Sequence, residues 1–253
     1  MNSTLIGLIS VACVFGGALL GLALQRRLPN HHLGKDSHEI VKLGAGMIAT
    51  LTALVLGLLV SSAKSSFDTM NQGIVQGGAK IILLDRVLAQ FGPESKAIRE
   101  QLQRGLAAGI ENVWPREGTG MAGLSAFERT NGMELVQARL RELAPKDDAQ
   151  RELLARAQQI ASDVSQTRWL LIEETQSQLP VAFLVVLLFW LTMLFASFGL
   201  FSPRNATVIT VLFVCACSVS AAIFLVMEMS QPLTGIIKVS NAPLLKALDH
   251  LGR

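Results

Sequence analysis

The chain has 253 residues, 51% hydrophobic and only 16% charged, with a mean hydropathy of +0.45. An ordinary soluble domain carries about a quarter charged residues, so the composition excludes that class and points to a bilayer protein. The net charge of +3 does not come from a basic soluble part: Lys64 to Glu174 holds 14 Lys and Arg against 15 Asp and Glu, a net of −1, which leaves no electrostatic footprint for nucleic acid.

Residues 2–25, 43–63, 175–203 and 205–227 contain no Asp, Glu, Lys or Arg, and each stretch exceeds the roughly 20 residues a helix needs to cross a hydrocarbon core. The expected fold is all-α and integral to the membrane, with four transmembrane helices and a helical extramembrane domain between helices two and three. The first stretch has no basic residues ahead of it and is too long for a cleaved signal peptide, so it reads as an uncleaved anchor. Within it, Gly17 and Gly21 have the spacing that lets two membrane helices approach closely.

The connector QRRLPNHHLGKDSHEIVK carries the breakers Pro29 and Gly34, then Asp36 three residues ahead of Glu39. That pair suits a capping box and predicts a start of helix two near Ser37. Ala45, Ala49, Ala53 and Gly57 follow at a four-residue step, a stripe of small side chains suited to close packing or to a lining of little bulk. No stop signal appears before Gly92 and Pro93, so helix two is expected to run on through Phe67, Ile74, Ile81, Leu84, Leu88 and Phe91. Its length would be roughly 80 Å, with a bend at Gly73, Gly77 and Gly78.

Pro93 opens a further helix to about Val113, and WPREGTGMAGLSAFERT, residues 114–130, reads as a loop. From Lys146 on, Leu153, Ala157, Ile160, Val164, Thr167 and Leu171 alternate steps of four and three, the seam of a packed helix pair. That helix feeds the third membrane helix, residues 178–201, with a bend at Pro180. Ser202-Pro203-Arg204-Asn205 then joins helices three and four as an antiparallel hairpin. In the tail, Ser240 or Asn241 caps a short helix bearing Leu244, Leu245, Leu248 and Leu251, expected on the membrane or on a partner subunit. The domains are therefore 1–63, 64–177, 178–227 and a tail, 228–253.

Arg26, Arg27, Lys35 and Lys42 follow helix one, so the positive-inside rule puts the first connector in the cytoplasm and the middle domain outside. His31, His32, Asp36, His38 and Glu39 do not have metal-ligand spacing on a rigid element, and adjacent histidines diverge. The expectation is a loop near lipid headgroups, with no metal and no cofactor. Asp85 and Arg86, in IILLDRVL, are either an ion-paired face of a packed helix or candidate interface charges. Glu173, Glu174 and Glu228 read as solvated carboxylates at helix ends. Cys13, Cys215 and Cys217 fall in apolar stretches and imply no disulfide framework. No nucleophile elbow, P-loop, dinucleotide glycine pattern or HExxH occurs, so an enzyme is the least supported class.

Three blocks together, RLPNHHLGKDSHEIVKLGAGMIATLTALVLGLLVSSAKSSFD, IILLDRVLAQFGPES with IREQL, and QPLTGIIKVSNAPL, resemble the bacterial bestrophin-like membrane family. The resemblance spans nearly the whole chain and implies a multi-pass protein of the cell inner membrane. Bestrophins themselves are pentameric anion channels with four membrane helices per subunit and long helices reaching into a cytosolic domain. Their neck aromatics and acidic calcium cluster have no counterpart residue by residue here, so no site is carried over. The resemblance places the middle domain in the cytosol, opposite to the reading from the arginines.

The leading expectation is an oligomeric channel or pore, a pentamer by the resemblance, passing inorganic ions. Helix two would line the path with Ala49, Thr50, Ala53, Gly57, Ser61 and Ser62, and Lys64 at the mouth would favour anions. The alternative is a membrane-anchored interaction or signalling module, in which the middle helices bind a partner and Lys64 snorkels to the headgroups. A secondary transporter fits less well, because no inverted repeat or mid-membrane charge is visible.

Overall fold

A computed structural model of the chain describes residues 3–27, 35–114, 132–176, 181–233 and 235–252. The described residues form helices and no strands: α1 (Ser3–Leu24), α2 (Lys35–Phe91), a 3-10 turn (Pro93–Ser95), α3 (Lys96–Val113), α4 (Gly132–Glu142), α5 (Asp148–Gln176), α6 (Val181–Phe201), α7 (Ala206–Met229) and α8 (Ala242–His250). Four of them, α1, α2, α6 and α7, are long and apolar enough to cross a membrane. The chain divides into two compact units, Met1–Ser65 with Gln178–Ser230, and Ser66–Ser177 with Gln231–Arg253, and α2 contributes to both. Pro29, Gly34, His31, His32, residues 115–130 of the expected loop and Pro180 lie outside the described residues.

In the first unit, α1 is apolar on every side, so hydrophobicity alone does not select its packing face. Its small residues do: Ser10, Gly17, Ala18 and Gly21 are buried together with Ile6, Val14 and Leu22. A Cβ added at Gly21 would stand 2.0 Å from the Ala196 carbonyl oxygen, and one at Gly17 would stand 2.7 Å from that of Thr192. On the facing helix, a Cβ at Gly199 would stand 2.1 Å from the Ala18 carbonyl oxygen. Thus α1 and α6 meet backbone to backbone, as the spacing of Gly17 and Gly21 predicts. Helix α7 also packs on α1, with Phe15 edge-on to Phe213 at 5.2 Å.

The α6–α7 hairpin is pinned at its turn. The Asn205 side chain caps α7 by accepting the Val208 N–H at 2.9 Å. Arg204 donates through Nε to Gln25 Oε1 at 3.0 Å and through its terminal guanidinium nitrogen to the Leu22 carbonyl. The second bond satisfies one of the carbonyls that the end of α1 leaves open. Helix α2 touches this unit along one line, burying Ala45, Thr52, Leu59 and Ala63. Steps of seven, then four, keep such a line on one side of a helix.

In the second unit the rest of α2 packs with α3, α4, α5 and the tail around Leu84, Leu88, Leu102, Val136, Leu140 and Ala161. A satellite core joins Met70 and Ile74 to Leu171 and Val239. The seam expected on α5 buries Ala157, Ile160, Val164 and Leu171, with Leu153 and Thr167 half-buried. Side-chain hydrogen bonds tie the elements together: Lys80 Nζ donates to Thr167 Oγ1 at 3.0 Å, Gln137 Nε2 to Ser165 Oγ at 3.0 Å, and Gln150 Nε2 to the Phe91 carbonyl at 2.9 Å. Chain reversal between α2 and α3 uses Gly92 at φ +122°, a conformation open to glycine.

Three details differ from the sequence reading. Helix α2 begins at Lys35 where a start near Ser37 was expected; it is helical through Gly73, Gly77 and Gly78. Two of those glycines make room for neighbours, since a Cβ at Gly73 would lie 2.4 Å from Leu171 Cδ2 and one at Gly78 would lie 3.2 Å from the Pro243 carbonyl oxygen. Helix α4 was not anticipated; its Met133, Val136 and Leu140 form a short buried stripe on a polar segment. The tail helix α8 packs inside its own unit, with Ala247 and Leu251 buried, and Ser240 Oγ accepts the Ala242 N–H at 3.2 Å at its start.

Replacing Gly21 by Leu should destabilise the purified full chain in detergent by about 3 kcal/mol, the upper end of overpacking costs, because the obstacle is backbone. Gly16→Leu should change it by less than about 0.5 kcal/mol, since a Cβ there meets nothing within 4 Å. Thermal unfolding compares the two, and equal losses would contradict the α1–α6 contact.

Candidate functional site on the second helix

A helix winds about 100° per residue, so a four-residue step drifts by about 40°. The stripe Ala45, Ala49, Ala53 and Gly57 therefore turns about 120° around α2. The exposures follow that drift: Ala45 is buried, Ala49 half-buried, and Ala53 and Gly57 exposed. The four small residues do not form one face, which corrects the stripe expected from sequence.

A different grouping results. Thr50, Ala53, Gly57, Ser61 and Lys64 fall within about 80° of one another, and all five are exposed. Ala49 lies on the flank between this arc and the buried line. Ser62 is exposed but points about 100° away from Ser61 and leaves the group. Beside the small and polar arc runs a second exposed one made of Ile40, Leu43, Met47, Leu51, Leu54 and Leu58, also within about 80°. Around its first half, α2 thus shows a line toward its own unit, an arc of large apolar side chains, and an arc of small and polar ones.

Gly57 of the small arc and Gly46 nearer the start of α2 have no close neighbour among the described residues. A Cβ added at Gly46 or Gly57 would meet nothing within 4 Å, although glycine costs about 1 kcal/mol relative to alanine inside a helix. The Thr50 hydroxyl returns to the Gly46 carbonyl at 2.9 Å, so its polarity is spent locally.

Asp85 and Arg86 part company. Asp85 is 1% exposed and takes two bonds from Arg99, Nε to Oδ1 at 2.7 Å and Nη2 to Oδ2 at 2.9 Å, while the Gly252 N–H donates to Oδ2 at 3.3 Å. The candidate interface charge is therefore committed inside its own subunit, the ion-paired alternative of the two readings; Arg86 is exposed. Donation to Asp85 is the first cause that holds the Arg99 guanidinium above its ordinary pKa.

Of the carboxylates expected to be solvated, Glu173 is exposed, Glu174 is half-buried and accepts the Ser66 hydroxyl at 2.5 Å, and Glu228 is 2% exposed. Glu228, near the end of α7, is buried although it lies off the line of Ala216, Ser220, Ile223 and Val226 that the helix buries. His38 stands edge-on to Phe201 at 4.6 Å. Among the described residues no group of three His, Cys, Asp or Glu is placed to hold a metal; His31, His32 and the Asp36 side chain lie outside them.

The model of the bestrophin-like domain matches residues 12–244, which covers α1 from residue 12, the other three long apolar helices whole, and the second unit as far as residue 244. The chain belongs to the bestrophin-like family. No curated protein and no solved structure matches it.

The ion pair yields a directional test. In this bestrophin-like chain, Arg99→Met strands Asp85 as a buried charge and should cost about 3–5 kcal/mol. Asp85→Asn leaves Arg99, 20% exposed, able to reach water, and should cost roughly 1–2 kcal/mol. Thermal unfolding of the purified full chain reads both, and a larger loss in Asp85→Asn would refute the buried geometry.

Proposed function

We propose that the chain is one subunit of an oligomeric ion channel, a multi-pass protein of the cell inner membrane in which α1, α2, α6 and α7 span the bilayer. The small and polar arc of α2 faces the conduction path, and Lys64 at its end biases that path toward anions. Membership of the bestrophin-like family supports a channel-like role in general.

The observation that carries the reading is the division of α2 into arcs. In a bilayer, lipid tails cover the Leu and Met arc as well as a protein interior would, so those side chains need no further partner. The small side chains Ala53 and Gly57 of the other arc gain little from lipid, and with Thr50, Ser61 and Lys64 they stand exposed in their own unit. Small and polar side chains are what helix–helix contact in a membrane and a water-filled path both require. One subunit contributes a single such arc, so the path needs further copies around an axis.

The first unit collects Arg26, Arg27, Lys42 and Arg204 at one end, joined there by the Arg204 bonds to residues 22 and 25 and the His38–Phe201 contact. By the positive-inside rule that end is assigned to the cytoplasm.

Native mass measurement in mild detergent should give a multiple of the 27.2 kDa chain, and planar bilayers containing the protein should carry a current. Lys64→Glu should move the reversal potential toward cations. Gly57→Leu should leave the thermal unfolding of the subunit in place while reducing assembly or current. A mass of one chain would sink the axial arrangement and favour the membrane-anchored interaction module; an unchanged reversal potential in Lys64→Glu would remove Lys64 from the path.

A further inference from the structure

We infer that the groove between the start of α2 and the end of α6 binds one anionic glycerophospholipid, with its phosphate at Lys42 and His38 and an acyl chain laid along Gly46 and Ala49 against Phe198. The inference rests on the membrane placement proposed above, and the groove uses the part of α2 that precedes Thr50.

The groove encloses about 400 Å³, within the roughly 300–1,000 Å³ usual for small-molecule sites. Its chemistry changes along its length. His38, Lys42 and Ser202 stand at one end, and the remainder is floored by Gly46 and Ala49 and walled by Phe198. No salt bridge joins Lys42 to another described residue. A Cβ at Gly46 would meet nothing within 4 Å, so the groove exists partly because that residue has no side chain. The polar end coincides with the end of the first unit that carries Arg26, Arg27 and Arg204, which places it at the depth of the headgroups and the apolar part at the depth of the tails. Basic groups at the mouth of an apolar cleft between membrane helices complement an anionic headgroup attached to a chain.

The test is native mass spectrometry of the full chain purified in mild detergent with phosphatidylglycerol or phosphatidylcholine added. The expected result is one retained phosphatidylglycerol per subunit and weaker retention of phosphatidylcholine. Lys42→Gln should weaken phosphatidylglycerol about fivefold, the weight of one lysine at an anionic lipid surface. Gly46→Leu should abolish retention of both lipids by filling the groove, with unchanged thermal unfolding of the subunit. Equal retention of the two lipids by the unmodified chain would overturn the proposal. So would retention that neither substitution alters, or a loss of assembly in Gly46→Leu without any loss of lipid, which would make the groove a contact between copies. Carbonate extraction separates the failures: a chain that stays in the membrane yet keeps no lipid refutes the groove alone, and a chain released by carbonate refutes the membrane placement as well.

Discussion

Gly21 and Gly199 let α1 and α6 meet with their backbones in contact, and what the rest of the first unit presents follows from that approach. Side chains of ordinary size would hold the two axes apart and leave a gap for α2 to fill. With that approach made by glycine, α6 and α7 both pack on α1, and the part of α2 in this unit buries the line of Ala45, Thr52, Leu59 and Ala63. Of the four long apolar helices, α2 is the least covered, with 11% of its most apolar window buried against 39% for α1.

That sparse coverage separates two tasks on one helix. The large side chains from Ile40 to Leu58 are exposed on one side, and Thr50, Ala53, Gly57, Ser61 and Lys64 are exposed on the adjoining one. The lipid groove at the other end of this segment uses the same economy of side-chain bulk, since Gly46 and Ala49 are its floor. Gly46 and Gly57 each cost about 1 kcal/mol relative to alanine inside a helix, and a Cβ at either would meet nothing within 4 Å among the described residues.

The second unit rests on a different interaction. Asp85 is nearly excluded from water, and its two oxygens are occupied by Arg99 on the neighbouring helix and by the backbone of Gly252 near the end of the chain. A buried carboxylate without those donors would be strongly unfavourable, so the pair fixes α3 against α2 and holds the tail to the same point. Trp114 adds a second tie, donating its indole N–H to the Val239 carbonyl at 3.0 Å. The tail helix is thereby held within its own unit, where the sequence suggested a membrane or a partner.

Helix positions and the division into arcs were within reach of the sequence, because charge-free length, breakers such as Gly92-Pro93 and the winding of a helix are local properties. Family membership was legible too, from three separated blocks. Partners were not: Arg99 meets Asp85 only because the chain reverses at Gly92, Gly252 arrives from 167 residues away, and Glu228 is buried off the line that α7 otherwise packs. Helix α4 escaped because three buried residues on a short polar segment give a weak periodic signal. By itself the sequence determined that four apolar helices form and that the chain is bestrophin-like, since hydropathy and helix propensity act within a few residues. Only the tertiary structure decided which side of each helix is covered, because an apolar helix has no preferred face until the glycines of α1 and α6 find each other.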